Sequence, residues 1–279
     1  MKPFLLTTVA MTAFAANTIF CRWALGKDFI DPASFTGIRL LSGVIILLAI
    51  LWYRQAGKLK PRFDYFASAM LFAYAITFSY AYIHLTTGTG ALILFGFVQL
   101  TMIVYGLFRG ERPGWLAWLG MVIAVGGLVY LLLPGVSTPP LAAAALMAAA
   151  GIAWGFYSLR GRNGYDPTAS TTWNFVGTLP LAAVAVLLAM NHLHLQLDGV
   201  VLAVLSGALA SGVGYAIWYA ALPYLTPMQA ANVQLSVPII AALGGVVAMD
   251  EMITLRLLVA SALTLGGIAL VILVRTRSP

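Results

Sequence analysis

Few residues of this 279-residue chain can do chemistry in an apolar medium, and they are amides, hydroxyls, aromatic rings and two arginines. Asn17, Gln99, Asn174, Asn232 and Gln234, with Ser79, Ser206, Ser211 and Ser236, interrupt long hydrophobic runs. Hydrocarbon offers such groups no partner, so each must either fasten two helices together or face a ligand. Arg22 and Arg39 lie within apolar runs near one end, Arg39 deeper. A guanidinium grips a carboxylate through two parallel hydrogen bonds, so this pair would hold the acidic group of a ligand. In the other reading both snorkel outward to Asp28 or Asp31.

Tyr74, Phe78 and Tyr82 recur every fourth residue and form one helical stripe, with Tyr80 beside it. Trp154, Tyr157, Trp173, Tyr215, Trp218 and Tyr219 follow in later runs. A pocket lined by such rings accepts a planar apolar body by stacking while a few amides fix its polar end. Trp23, Trp52, Trp115 and Trp118 stand at run ends and read instead as an interfacial belt. Pro238, just after Asn232 and Gln234, offers no N–H to the preceding turn and marks a bend or hinge, as does Pro180. His84, near the end of the third run, is the one candidate for carrying a proton, or else an interfacial histidine in contact with water. All eight acidic residues fall in loops or at run ends, which favours uncoupled over proton-coupled function. No His, Asp or Glu cluster has metal-ligand spacing and Cys21 is alone, so neither a metal, a cofactor nor an internal disulfide is expected.

The elements that must position these groups follow from composition. With 62% hydrophobic and 8% charged residues, the chain cannot be a water-soluble globule. A spanning helix needs about 20 apolar residues, and the runs predict ten spans, over 4–26, 34–53, 65–84, 88–108, 115–133, 141–159, 168–190, 199–221, 227–248 and 254–274. With the N-terminus in the cytoplasm, only Arg22, Lys27, Arg39 and Arg256 of the 15 basic residues lie on or near the far side. This bias places both termini inside, and it accounts for the net charge of +7 without nucleic acid. A cleaved leader ending near Ala13-Phe14-Ala15 is the competing view of the first run, which nevertheless continues to Gly26.

The chain also repeats itself. Sliding the second half back by 140 residues sets Glu251 on Glu111, Gly266-Gly267 on Gly126-Gly127 and Leu225-Thr226 on Leu85-Thr86, while a shift of 135 sets Asp166-Pro167 on Asp31-Pro32 and Asn174 on Arg39. Five spans per half, in residues 1–137 and 138–279, make the second copy upside down relative to the first, an arrangement characteristic of carriers. Small residues at Ala142–Ala145, Gly151, Gly155, Gly207 and Ser211 mark close helix contacts. Glu111 and Glu251 each precede a run and are expected to cap it.

The Asn17 region, Asp31-Pro32, Arg39, Trp154-Gly155, Thr226-Pro227 through Pro238, Glu251 and Gly266-Gly267 together resemble the drug/metabolite transporter superfamily in its EamA-type branch. The aromatic third and eighth spans are most similar to the YddG-type aromatic amino-acid exporters of bacteria. Phe14-Ala15 stands where that family usually carries Trp-Gly, so the first repeat is the less typical one. The resemblance implies an all-α integral membrane protein of ten helices in the bacterial inner membrane, exporting small metabolites, with aromatic amino acids first. The expected mechanism is uncoupled alternating access around a cavity roofed by spans three, four, eight and nine. The substrate-binding set is Asn17, Arg39, Tyr74, Phe78, Tyr82, Gln99, Trp154, Tyr157, Asn174, Tyr215, Asn232 and Gln234. The rival readings are a proton-coupled efflux antiporter and, more remotely, a membrane-embedded enzyme. For the latter, Ser211 lacks both a mid-span histidine and the glycine two residues before it. The partners expected are the small-molecule substrate and the lipid bilayer; the sequence leaves oligomeric state open.

Overall fold

The computed structural model describes residues 2–54, 61–110, 113–135, 138–161, 166–225 and 233–275. Among the described residues ten principal helices follow one another: α1 (Lys2–Gly26), α2 (Pro32–Arg54), α3 (Tyr65–Tyr82), α4 (Thr87–Phe108), α5 (Trp115–Leu132), α6 (Leu141–Gly161), α7 (Pro167–Leu188), α8 (Leu197–Ala221), α9 (Ser236–Met249) and α10 (Leu255–Arg275). They begin and end close to the expected spans, except that α9 starts at Ser236, and residues 226–232 before it lie outside the described residues. Eight are long and apolar enough to cross a membrane. In α3 the tyrosines, serines and a threonine lower the hydropathy, and α9 has 14 described residues.

Aspartates cap several starts. Asp31 accepts from the Ser34 amide at 2.9 Å, Asp64 from Ala67 at 3.1 Å and Asp166 from Thr168 and Ala169 at 3.1 and 3.2 Å. Pro32 and Pro167 occupy the next position, where a missing N–H costs nothing. Glu251 departs from its expected role. Its carboxylate accepts from the amide of Thr87 at 2.7 Å and so caps α4, while Thr254 caps α10 through the Leu257 amide. The turn between α9 and α10 carries Asp250 at φ 56°, and the chain beyond it directs Glu251 across the bundle.

The helices pack in matched pairs. α3 lies on α6 and α8 on α1; α4 lies on α6 and α9 on α1; α3 meets α7 and α8 meets α2. The remaining large contacts join α2 to α7, α4 to α9 and α5 to α10. Small residues permit these approaches, as expected at Gly151 and Gly207. A Cβ on Gly151 would lie 2.6 Å from the Leu94 carbonyl, on Gly267 2.5 Å from the Gly120 carbonyl, and on Gly207 2.0 Å from the Arg39 carbonyl. Gly126 and Gly266, by contrast, meet nothing and face outward. Much apolar surface is exposed on the bundle exterior, including Trp52, Trp115 and Trp118 at helix ends, as a bilayer requires; Trp23 is half-buried.

Candidate functional site: a central cavity between the halves

The middle of the bundle holds a cavity lined by Phe14, Asn17 and Thr18 of α1, Tyr74 of α3, Leu94 and Phe95 of α4, Trp154 of α6, Ala210, Ser211 and Tyr215 of α8, and Gln234 before α9. Its empty space out to the mouth is about 410 Å³, yet it is narrow enough to hold only about one or two waters. Both α1 and α6 therefore contribute walls, beyond the four spans expected to roof it.

Its rings form a continuous aromatic box. Trp154 stacks on Tyr215 at 5.4 Å and 21° and leans on Tyr74 at 4.8 Å. Phe14 meets Tyr215 edge-on at 5.5 Å. The polar side is a chain of hydrogen bonds through four helices. Ser206 donates to Asn17 Oδ1 at 2.7 Å, Asn17 Nδ2 donates to Tyr74 Oη at 3.2 Å, and Arg39 Nη2 donates to the same oxygen at 3.1 Å. Tyr74 thus accepts twice and keeps its own proton to give.

Local sequence explains how α8 reaches this wall. Over Leu205–Val213 (LSGALASGV) the helix widens to π-helical winding, which brings Ser206 to Asn17 and Ala210 and Ser211 to the cavity. Such wide turns leave backbone and side chains displaced from regular spacing and concentrate at functional sites. Ser211 Oγ has no hydrogen-bond partner among the described residues. On the opposite side, helical winding breaks at Leu235, since Pro238 has no N–H to give to the turn containing Gln234.

Of the predicted site residues, Asn17, Tyr74, Trp154, Tyr215 and Gln234 line the cavity. Arg39 stands one side chain behind it, covered by Tyr74. Phe78 supports Tyr74 from below at 5.2 Å. Tyr82 lies away from the cavity, packed flat on Gly90, where a Cβ would come within 2.4 Å of its ring. Tyr157 is bonded to Thr171, and Thr171 to Tyr219, in a separate network between α6, α7 and α8. Gln99 and Asn174 are buried but line no part of the cavity. Pro180 faces outward within α7 and His84 is exposed at the end of α3. Asn232 lies outside the described residues. Phe14, Thr18, Leu94, Phe95 and Ala210 also line the cavity, and as ordinary apolar or helix-surface residues by type they carry no signal in the sequence.

Two electrostatic clusters stand on opposite faces of the bundle. On the face carrying the α9–α10 turn, Arg22 Nε donates to Glu251 Oε1 at 3.0 Å and Arg22 Nη1 donates to the carbonyls of Tyr82 and Ile83, each at 3.0 Å. With the Glu251 bond to Thr87, this ties α1, the α3–α4 turn and the α9–α10 turn together. Arg22 therefore neither pairs with Arg39 around a ligand nor reaches Asp28 or Asp31. On the opposite face, Arg160 Nε donates to Asp64 Oδ2 at 2.7 Å and Arg54 lies 3.8 Å from Asp166. Partial burial pushes the Asp64 carboxyl up, but the Arg160 hydrogen bond, the Ala67 amide and the Arg160 charge together outweigh it and hold it below the usual value of 3.8.

The model of the EamA-like transporter family matches the sequence twice, over residues 1–133 and 141–273. The chain belongs to the EamA-like transporter family. It is thus a multi-pass membrane transporter acting on small molecules within a lipid bilayer. It is 50% identical over 271 residues to an uncharacterized protein of Pseudomonas aeruginosa, covering 97% of this chain and 94% of that one. It is also 25% identical to an uncharacterized transporter of Archaeoglobus fulgidus, with 96% of each covered. A solved protein structure superposes with a TM-score of 0.66 at 19% identity over 98% of both chains, a likeness of fold.

Proposed function

We propose that the protein moves small amphipathic metabolites, aromatic amino acids foremost, outward across a bacterial inner membrane by uncoupled alternating access. The observation that carries this reading is the central cavity, where the rings of Tyr74, Trp154 and Tyr215 stand beside the amides of Asn17 and Gln234. Rings of that size fit a planar apolar body, and the amides fit its polar end. The cavity as it stands is too narrow for such a solute, so the helices around it must part to admit one.

Two inverted repeats, residues 1–137 and 138–279, would provide the parting motion. The double family match supports this division, as do bonds that recur at the two sequence offsets. Thr36 donates to Ser79 between α2 and α3 at 2.8 Å, and Thr171 donates to Tyr219 between α7 and α8 at 3.0 Å. The paired helix contacts have the same symmetry. The basic bias orients the Asp64 face and both termini toward the cytoplasm, leaving the Glu251 face outside, where the Arg22–Glu251 cluster shuts the path. Absence of a carboxylate near the cavity among the described residues favours a substrate gradient over a proton gradient as the driving force.

The experiment is uptake of labelled tryptophan, and separately of threonine, into liposomes holding the purified protein, with and without an imposed pH gradient. Saturable tryptophan flux indifferent to the gradient is expected. Flux that follows the pH gradient would replace the uncoupled mechanism with a proton-coupled one and direct attention to His84.

A further inference from the structure

Arg39 is a cation without a counter-ion among the described residues, in the interior of a membrane protein. It is 2% exposed, and its Nε and Nη1 have no hydrogen-bond partner among the described residues. The titratable side chains acting on it are Tyr74, Tyr215 and Cys21, none of them a carboxylate. What holds the charge is one phenolic oxygen and two ring faces. Nη2 donates to Tyr74 Oη at 3.1 Å, and the guanidinium carbon lies 5.2 Å from the centres of both the Tyr74 and Phe78 rings. Neutral dipoles and ring quadrupoles compensate a buried ion only in part, so the arrangement is costly unless the charge is used.

The guanidinium has two edges that can grip a carboxylate through parallel bonds, one formed by Nε and Nη2 and the other by Nη1 and Nη2. Nη2 belongs to both, with one N–H toward each edge, and Tyr74 takes one of those two donors. Tyr74 also lines the cavity and is held there by the Asn17 amide, itself anchored to the π-helical stretch of α8. A rotation of Tyr74 away from Nη2 would therefore free the edge it blocks and uncover the guanidinium toward the cavity in one movement.

Resting on the carrier reading above, we infer that the cavity recognises its substrate by a carboxylate, which replaces the Tyr74 hydroxyl on Arg39 when the cavity widens. The same geometry offers an ammonium group no carboxylate among the described residues, and only ring faces and neutral oxygens are left to receive it. The substrate class is then an aromatic or apolar body bearing a carboxylate, for which an α-ammonium is dispensable. Aromatic amines are refused.

The test measures binding to the purified protein, and flux in liposomes, for four probes sharing one ring: 3-phenylpropionate, its neutral amide, phenylalanine and 2-phenylethylamine. In the wild type the acid and phenylalanine bind, the amide binds at least about tenfold more weakly and the amine does not bind. Arg39→Gln brings the ratio of acid to amide affinity to about one, while Arg39→Lys retains part of it because the charge remains but the fork is lost. A merely structural arginine would weaken all four probes alike and leave that ratio unchanged. Tyr74→Phe, which removes the hydroxyl competing for Nη2, keeps the preference for the acid. Should Arg39→Gln fail to fold, the wild-type ratio and the Arg39→Lys ratio decide. Equal handling of acid, amide and amine by the wild type overturns the inference and leaves the carrier reading intact; transport of none of the four, with tryptophan and threonine also excluded, removes both.

Discussion

Glu251→Gln offers a direct test of the closure proposed at one face of the protein. In the wild type the carboxylate receives Arg22 at 3.0 Å and the Thr87 amide at 2.7 Å, with the two side chains only 21% and 12% exposed. The amide variant keeps the shape and one acceptor but removes the charge from both bonds. Charge-assisted hydrogen bonds contribute about 1.5–3 kcal/mol each, and a partly buried ion left without its partner costs more. A net loss of about 2–3 kcal/mol from the closed form is expected, which shifts the ratio of open to closed by about 30- to 150-fold. The chain carries its own reporter. Cys21 is the single cysteine, fully buried on α1 between the cavity residues Asn17 and Thr18 and the Arg22 cluster. Alkylation of Cys21 by N-ethylmaleimide added at the Glu251 face should therefore accelerate in Glu251→Gln by a factor of that order. Arg22→Met should accelerate it too, whereas Asp64→Asn, at the opposite face, should not. Equal labelling rates in wild type and Glu251→Gln, with the variant folded, would refute the assignment of this cluster as the closure.

Gly207→Ala is expected to be severe for its size. The new methyl would lie 2.0 Å from the Arg39 carbonyl and force α8 off α2, a cost of about 2–3 kcal/mol or more that a melting curve in detergent would register. Trp154→Ala removes the ring stacked on Tyr215 and leaning on Tyr74; competition binding should show aromatic solutes losing about tenfold or more against threonine. Asp64, held below its usual 3.8 in the folded protein, adds stability that is present above about that pH and lost as pH falls through the lowered value. Melting temperature against pH should therefore fall less steeply on the acid side in Asp64→Asn than in the wild type. A parallel pair of curves would show that Arg160 does not stabilise the Asp64 carboxylate.

Hydrophobic run length located the helices, because a chain in hydrocarbon has only intrahelical partners for its backbone and must stay apolar for a full crossing. Asp-Pro at residues 31–32 and 166–167 announced helix starts, since the carboxylate caps and the imino ring needs no donor. Glycine spacing at Gly151, Gly155 and Gly207 named close contacts without naming the partners. The aromatic and amide residues Asn17, Tyr74, Trp154, Tyr215 and Gln234 were legible as candidates, and they line the cavity, because their chemistry is rare in apolar runs and stands out there. Phe14, Leu94, Phe95 and Ala210 were not, because an apolar side chain reads the same whether it faces lipid, a neighbouring helix or a cavity. Tertiary structure alone decided that Tyr82 packs on Gly90 while Tyr74, two turns earlier on the same stripe, faces the cavity: a stripe fixes a direction, and depth along the helix decides what lies in that direction. It also parted the two arginines. Arg22 and Arg39 look alike in sequence, but among the described residues Arg22 meets Glu251, 229 residues away, and Arg39 meets the Tyr74 hydroxyl and the rings of Tyr74 and Phe78. Such pairings depend on how the two halves interlock, and no local pattern encodes which charge finds a partner and which is left open.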